Sequence, residues 1–270
     1  MIHPLPPDFA DRSLCVAVAG AGGTGSQVLS GLARMHLALT ALGHPGLNVY
    51  AFDPDTVTEA NVGRQLFSPS DLGANKAVVL INRLNCFFNL NWHAIPSRYH
   101  ATVAASRECA GNIDFLIGCV DSAAARRDLA KTKFRYWLDL GNTDKKGQVI
   151  LGTRTRPKRV ALGVPLTKVL GGKGSLSARQ MVKYQQYHTP PRPKLVTEIF
   201  PELMNRRLKE DTSPSCSLAE ALERQDLLIN QSVATFGLQL LWQFIREGGL
   251  NIHGYFVNLE TGRVTPLPIK

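Results

Sequence analysis

Short apolar runs alternate along this chain with longer stretches whose apolar residues recur at helical spacing. The apolar runs predict buried strands at residues 14–19, 48–53, 114–120, 136–140 and 148–151. The intervening stretches predict helices at residues 25–42, 74–90 and 122–132, with weaker signals for a strand at 92–99 and a helix at 101–110. Alternating strands and helices predict an α/β fold: a doubly wound, Rossmann-like, mostly parallel sheet with helices on both faces.

The alternation of strand and helix patterns is weaker in the second half of the chain. Pro190, Pro191 and Pro193 stand among basic residues. Residues 217–247 predict one long helix or two joined helices, and residues 255–259 and 263–267 predict a terminal β-hairpin. We therefore expect a Rossmann-like core over residues 1–165, a mobile or crossover segment over 166–216, and C-terminal helices and a hairpin over 217–270 that complete the same domain.

A glycine-rich turn follows the first predicted strand and leads into a helix. It reads Gly20-Ala-Gly22-Gly23-Thr-Gly25-Ser26. Glycines allow a tight turn and let backbone N–H groups approach an anion, and the helix that follows presents its positive N-terminal dipole. This turn predicts a nucleotide phosphate site, although a closely packed strand–helix turn without a ligand gives the same pattern.

Acidic and basic residues follow the next strands. Asp53 and Asp121 end two predicted strands and should face the crevice beside the glycine turn. In dinucleotide-binding folds, an acid at the position of Asp53 binds ribose hydroxyls. Arg64 lies in the long polar loop that follows Asp53, and Lys76 comes just after that loop. A dehydrogenase needs neither cation there, whereas ATP chemistry that expels pyrophosphate needs positive charge around the phosphates.

Composition narrows the function classes. The formal net charge is +10, which suits solvated surface or the steering of an acidic partner; RNA or DNA is less favoured because no aromatic residues interleave with the basic runs. No apolar run is long enough to span a membrane, so we expect a cytoplasmic protein with no membrane contact. The five cysteines form no C-x-x-C pair and support no structural zinc.

Taken together, these motifs resemble the ThiF/MoeB/E1 superfamily of ATP-dependent activators of ubiquitin-like proteins. The resemblance covers roughly residues 14–152. In its length and in a C-terminal Pro-Ser-Cys-Ser segment, the chain looks most like the ThiF-type proteins of bacterial PRTRC gene systems. Such systems pair that protein with a small ubiquitin-like protein. The resemblance implies ATP and Mg²⁺ as cofactors, a homodimer, and adenylation of the C-terminal carboxylate of such a partner.

The resemblance also implies roles for individual residues. The turn glycines and Ser26 would hold the ATP phosphates, and Asp53 would bind the ribose. Asn61, Arg64, Gln65 and Lys76 would contact the phosphates or the attacking carboxylate. Asp121 would bind Mg²⁺, although a helix cap is the alternative role for this residue. The N-terminal Arg-Tyr-x-Arg-Gln pattern of MoeB-type relatives is absent here.

The cysteines differ in their surroundings. Cys15, Cys86 and Cys119 lie in apolar patterns and are expected to be inert core residues. Cys216 lies in a polar stretch before a predicted helix, where the dipole favours a thiolate. Two roles stay open for it: a nucleophile that takes the activated chain as a thioester, or no catalytic role.

Three other functions stay open beside E1-like activation. A same-fold enzyme acting on tRNA or a peptide would turn over ATP with that substrate instead. A nucleotide-binding scaffold would bind ATP without transfer, and an NAD oxidoreductase would bind NADH.

Overall fold

The computed structural model describes residues 2–100, 113–155, 190–207 and 218–270 of the chain. Its strands are β1 (His3–Pro4), β2 (Leu14–Ala19), β3 (Leu47–Phe52), β4 (His93–Ile95), β5 (Phe115–Gly118), β6 (Tyr136–Asn142), β7 (Lys146–Gly152), β8 (Gly249–Leu250), β9 (Ile252–Asn258) and β10 (Arg263–Pro268). Its α-helices are α1 (Gly23–Ala41), α2 (Lys76–Phe88), α3 (Ala123–Leu129), α4 (Val196–Ile199), α5 (Leu218–Arg224) and α6 (Ile229–Glu247).

An eight-stranded sheet organises the chain. Its strand order is β10-β9-β7-β6-β5-β2-β3-β4. The five strands from β6 to β4 run parallel, whereas β7, β9 and β10 join one edge through antiparallel pairs. The predicted fold class, with its terminal hairpin, is therefore confirmed.

Side chains alternate between two cores because successive residues of a strand point to opposite faces. On one face, Val16 and Val18 pack with the apolar sides of α1, α2 and α6. On the other, Ala17 and Ala19 pack with residues of α3 and α4. Both faces of the parallel strands are buried, which is why their sequences read as continuous apolar runs.

Several element boundaries differ from the prediction. The predicted turn over residues 141–147 is shorter, because β6 continues through Asn142 and β7 begins at Lys146. The predicted strand at 92–99 is only three residues long. The C-terminal helical stretch is two helices, α5 and α6. The helix predicted at 101–110 lies outside the described residues, as do both predicted domain boundaries.

The N-terminal segment packs against the rest of the fold through His3. His3 is buried; one ring nitrogen lies 2.8 Å from the carbonyl oxygen of Pro191, and the other lies 2.9 Å from the hydroxyl of Tyr136. Burial lowers the pKa of the His3 imidazole from 6.5 to about 4; the hydrogen bond to Pro191 opposes this shift, and nearby His253 adds to it.

This buried imidazole predicts that stability falls with acidity. Between pH 6.5 and 4 the unfolded chain binds a proton at His3 that the folded chain does not. The free energy of unfolding should therefore fall as the pH falls, by up to about 1.4 kcal/mol per pH unit from this residue. Urea unfolding of His3→Gln across this range should show a shallower slope than wild type. The exposed His93 provides the control variant His93→Gln, and equal slopes for His3→Gln and wild type would contradict the assignment.

Candidate nucleotide site

A cavity of about 430 Å³ opens at the carboxyl ends of the parallel strands, beside the glycine turn. In doubly wound sheets this edge is where ligands bind. The cavity brings together eight of the predicted site residues: Gly20, Gly22, Gly23, Asp53, Arg64, Gln65, Lys76 and Asp121. Their common location supports one site rather than scattered surface residues.

The glycine turn is fixed by close backbone contacts. A Cβ atom on Gly25 would lie 1.9 Å from the carbonyl oxygen of Gly20, so only glycine fits there. Gly20 has a φ of +96°, and its Cβ would meet the carbonyl oxygen of Cys119 at 2.5 Å. Gly22 differs, since the nearest atoms to its Cβ position belong to Gln65, at 3.7 Å. Gly20 and Gly25 thus shape the turn, while a Cβ at Gly22, on the cavity wall, would make only ordinary van der Waals contact with Gln65.

Asp53 links the end of β3 to this turn. Its Oδ2 accepts a hydrogen bond from the backbone N–H of Ala21 at 2.6 Å, and its Oδ1 accepts one from Asp55 at 2.8 Å. Burial raises the pKa of Asp53, and these two hydrogen bonds oppose the shift. Each carboxylate oxygen retains a free lone pair, so the group can still accept ribose hydroxyls.

Arg64 is a half-buried cation with no carboxylate at ion-pair distance within the described parts of the chain. Its Nη1 donates to the Oε1 atom of Gln225 at 2.5 Å, and its buried Nε atom has no hydrogen-bond partner. Burial lowers the pKa of this guanidinium. Because a buried unpaired donor is costly, these features indicate a place for an anion.

Lys76 and Gln65 complete the polar wall. Lys76 is the first residue of α2 and is 9% exposed, with its Nζ 3.6 Å from a carboxylate oxygen of Asp55. The helix begins here because the Asn75 side chain accepts a hydrogen bond from the backbone N–H of Val78. Gln65 is buried, and its Oε1 has no partner.

Asp121 lines the cavity with an exposed side chain. The helix that follows is capped by Ser122, whose hydroxyl accepts a hydrogen bond from Ala125 at 3.2 Å. The alternative role of Asp121 as the helix cap is therefore taken by its neighbour. This leaves the carboxylate available to a ligand.

Ser26 and Asn61 make structural contacts instead of lining the cavity. The Ser26 hydroxyl donates to the carbonyl oxygen of Gly23 at 3.0 Å. The Asn61 side-chain oxygen accepts from both the backbone N–H and the hydroxyl of Thr58, which closes a capping box on a 3₁₀ turn at Glu59–Asn61. A nucleotide contact for either residue stays a prediction.

Three amide residues of the cavity were not predicted from the sequence. Asn142, Gln225 and Asn230 line the cavity, and Asn230 donates to the Oε1 atom of Gln225 at 2.9 Å. Asn142 could have been found, since it ends β6 just as Asp53 follows β3. Gln225 lies in the turn between α5 and α6, and Asn230 lies in α6. Their position beside the glycine turn depends on tertiary packing.

Buried ionic contacts support the floor of the site. The Arg126 Nε donates to Asp139 at 3.0 Å, and both side chains are almost completely buried. Arg126 also donates through Nη1 to the carbonyl oxygen of Asp121 at 3.2 Å. The buried pair thus holds the backbone that carries Asp121, a function that the sequence analysis did not assign.

A metal ion in this cavity would need oxygen atoms from a bound phosphate ligand in addition to a protein carboxylate. Within the residues that can be described, no three His, Cys, Asp or Glu side chains cluster as a metal site. Mg²⁺ commonly binds through one or two carboxylates together with substrate phosphates. Asp121, an exposed carboxylate that lines the cavity, fits that mode better than a preformed, all-protein metal cage.

The cysteines divide differently from the prediction. Burial raises the pKa of the Cys119 thiol, but the residue is half-buried and lines the cavity, so its inertness stays a prediction. Cys86, however, is exposed on α2, so its interpretation as a core residue was wrong: an apolar helical stretch still has one face toward solvent. Cys216 lies outside the described residues, and both of its roles stay open.

Comparison with known proteins identifies the family. The model of the ThiF family matches residues 12–221. The chain belongs to the ThiF family. No curated protein sequence gives a significant match.

No described helix is both long and apolar enough to cross a membrane.

Solved structures share the ThiF-family fold at low identity. E. coli MccB aligns with a TM-score of 0.52 and 15% identity, over 97% of this chain and 64% of MccB. MccB with ATP aligns with a TM-score of 0.53 and 16% identity, over 97% and 66%. PaaA aligns with a TM-score of 0.51 and 15% identity, over 95% and 64%. The chain thus spans about two thirds of the length of these proteins.

The buried Arg126–Asp139 pair predicts a large cost on its disruption. In Arg126→Met the Asp139 carboxylate stays buried without its cation, so the free energy of unfolding should fall by about 3–5 kcal/mol. Lys131→Met, which breaks an exposed pair with Asp128, should cost less than about 1 kcal/mol. Chemical denaturation measures both. Similar small losses in the two variants would show that the buried pair does not support the site.

Proposed function

We propose that this ThiF-family chain is an ATP-dependent enzyme that adenylates a carboxylate of a peptide or small protein. The observation that carries the proposal is the half-buried Arg64, which lines the same cavity as the glycine turn and has no carboxylate at ion-pair distance among the described residues. Phosphate oxygens accept hydrogen bonds from a guanidinium in the same way as a carboxylate does. Lys76 adds a second cation at the N-terminus of α2.

The site contents fit a nucleoside triphosphate. The cavity wall at Gly22 and the N-terminal end of α1 would receive phosphates, and Asp53 would bind the ribose. Gln65 lines the cavity, and its side-chain NH2 group would donate to the phosphates or to the attacking carboxylate. An NAD oxidoreductase would leave Arg64 and Lys76 without a function, which makes that alternative weaker.

In the proposed reaction an oxygen of the substrate carboxylate attacks the α-phosphorus of ATP. The bond from the α-phosphorus to the bridging oxygen breaks, and pyrophosphate leaves with the electron pair. The products are an acyl-adenylate and pyrophosphate. Arg64 and Lys76 would stabilise the negative charge that develops on the phosphates. Mg²⁺, held by Asp121 and the phosphates, would supply further positive charge.

The substrate is proposed to be the C-terminal carboxylate of a small ubiquitin-like protein. The resemblance to E1-like activators supports this substrate, as does the net charge of +10, which would attract an acidic partner. The similarity to PRTRC-type proteins and the homodimer belong to the same proposal. A structure of MccB with MccA among the fold relatives supports a peptide as the second candidate.

Asp121 provides the first test of the reaction. ATP–pyrophosphate exchange should occur with Mg²⁺ and a small ubiquitin-like protein, and Asp121→Asn should reduce it by at least about 100-fold because the metal loses its protein ligand. Asp11→Asn, an exposed acid at the opposite end of β2, is the matched control and should exchange normally. Exchange with a peptide or tRNA alone would reassign the substrate, whereas exchange with none of these would leave a nucleotide-binding scaffold.

Cys216 is tested separately from adenylation. If it captures the acyl group, its thiolate attacks the acyl-adenylate and releases AMP, which leaves a thioester. Cys216→Ser should then retain pyrophosphate exchange and lose a protein–partner adduct that thiols cleave. The exposed Cys86 provides the control Cys86→Ser, which should keep the adduct. An adduct that persists in Cys216→Ser would contradict the thioester.

A further inference from the structure

A chain of side-chain amides connects Arg64 to the C-terminal helices. Gln225, in the turn between α5 and α6, accepts hydrogen bonds at Oε1 from Arg64 at 2.5 Å and from Asn230 at 2.9 Å. The buried Asn230 in turn accepts from the Thr24 hydroxyl at 2.9 Å. Thr24 belongs to the glycine turn, so the chain of contacts runs from one phosphate-binding element to the other.

These contacts determine which way each amide points. The two donors to Gln225 place its oxygen toward Arg64, because an amide nitrogen there would face two other donors. Asn230 is itself fixed by packing: a Cβ atom on Gly23 would lie 2.7 Å from its carboxamide carbon. The acceptor for Arg64 is therefore held in place from the glycine turn.

The chemistry of a glutamine at this position is informative. A carboxylate would also orient the guanidinium, but it would neutralise the positive charge and compete with a bound anion. A neutral amide oxygen occupies one donor of Arg64 and leaves its charge uncompensated. The buried Nε of Arg64 has no hydrogen-bond partner either, so no other group among the described residues compensates this charge.

We propose that Gln225, held by Asn230, is a positioning residue that orients Arg64 toward the phosphates of the nucleotide without neutralising it. This inference rests on the proposed ATP site. It makes the turn between α5 and α6 a part of the nucleotide site, although that turn is more than 150 residues from Arg64 along the chain.

The test compares ligands that differ only in their phosphates. Gln225→Glu should weaken the binding of ATP by at least about tenfold, since the new carboxylate pairs with Arg64. Its affinity for adenosine should change less than about twofold, because adenosine does not reach Arg64. Gln243→Glu, a change of the same charge on the outer part of α6, should bind both ligands like wild type. Isothermal titration calorimetry on the full chain measures all these affinities.

A double-mutant cycle separates positioning from a general structural role. Gln225→Ala should weaken ATP binding by roughly threefold in the wild-type background and not at all in Arg64→Ala, because the orientation of an absent guanidinium has no effect. The half-exposed Gln225 tolerates truncation, and a thermal melt of each variant checks folding.

The outcomes distinguish the two levels of the proposal. Wild-type protein that binds adenosine and ATP equally, or neither, would overturn the proposed function and this inference with it. Wild-type protein that prefers ATP while Gln225→Glu binds ATP equally well would overturn only the inference. Parallel losses for ATP and adenosine, or additive losses in the cycle, would show that Gln225 is merely structural.

Discussion

The close approach of backbone to backbone at the glycine turn is the constraint on which the rest of the site depends. Gly25 packs against the carbonyl oxygen of Gly20, and Gly20 packs against that of Cys119 at the end of β5. The turn is therefore held against the sheet without side chains between them. Asp53 fixes the same turn through the N–H of Ala21. The first turn of α1 is thereby directed at the cavity, where its free N–H groups can bind an anion.

Charge is distributed unevenly around this turn. Arg64 and Lys76 approach from the loop and helix that follow β3, whereas Asp121 approaches from the end of β5. Arg126 and Asp139 form a buried pair that is neutral as a unit, and Arg126 also donates to the carbonyl oxygen of Asp121. Lys76 lies 3.6 Å from a carboxylate oxygen of Asp55, whereas Arg64 has no carboxylate partner among the described residues and would be available to phosphates. The exposed Asp121 would be available to a metal ion. This separation is what adenylation requires, because the leaving pyrophosphate gains negative charge.

The fold could be predicted from sequence because its strands are buried on both faces. Continuous apolar runs such as the one at Leu14–Ala19 have few other interpretations when helical stretches separate them. The residues at the carboxyl ends of the strands, Asp53 and Asp121, followed from the same pattern. Asn230 could not be predicted, because its role depends on how α6 packs on α1 and no local pattern specifies that contact. The exposure of Cys86 likewise depends on which face of α2 meets the sheet.

Gly22 offers the most direct test of the central claim that this cavity holds ATP. A methyl group at this position would lie on the cavity wall, in ordinary van der Waals contact with Gln65. Equilibrium binding of Mg²⁺-ATP and of NADH to wild type and to Gly22→Ala would decide the matter. We expect that wild type binds ATP and not NADH, and that Gly22→Ala remains folded and binds ATP at least about tenfold more weakly. Equal ATP affinity in the two proteins, or a preference for NADH, would contradict it.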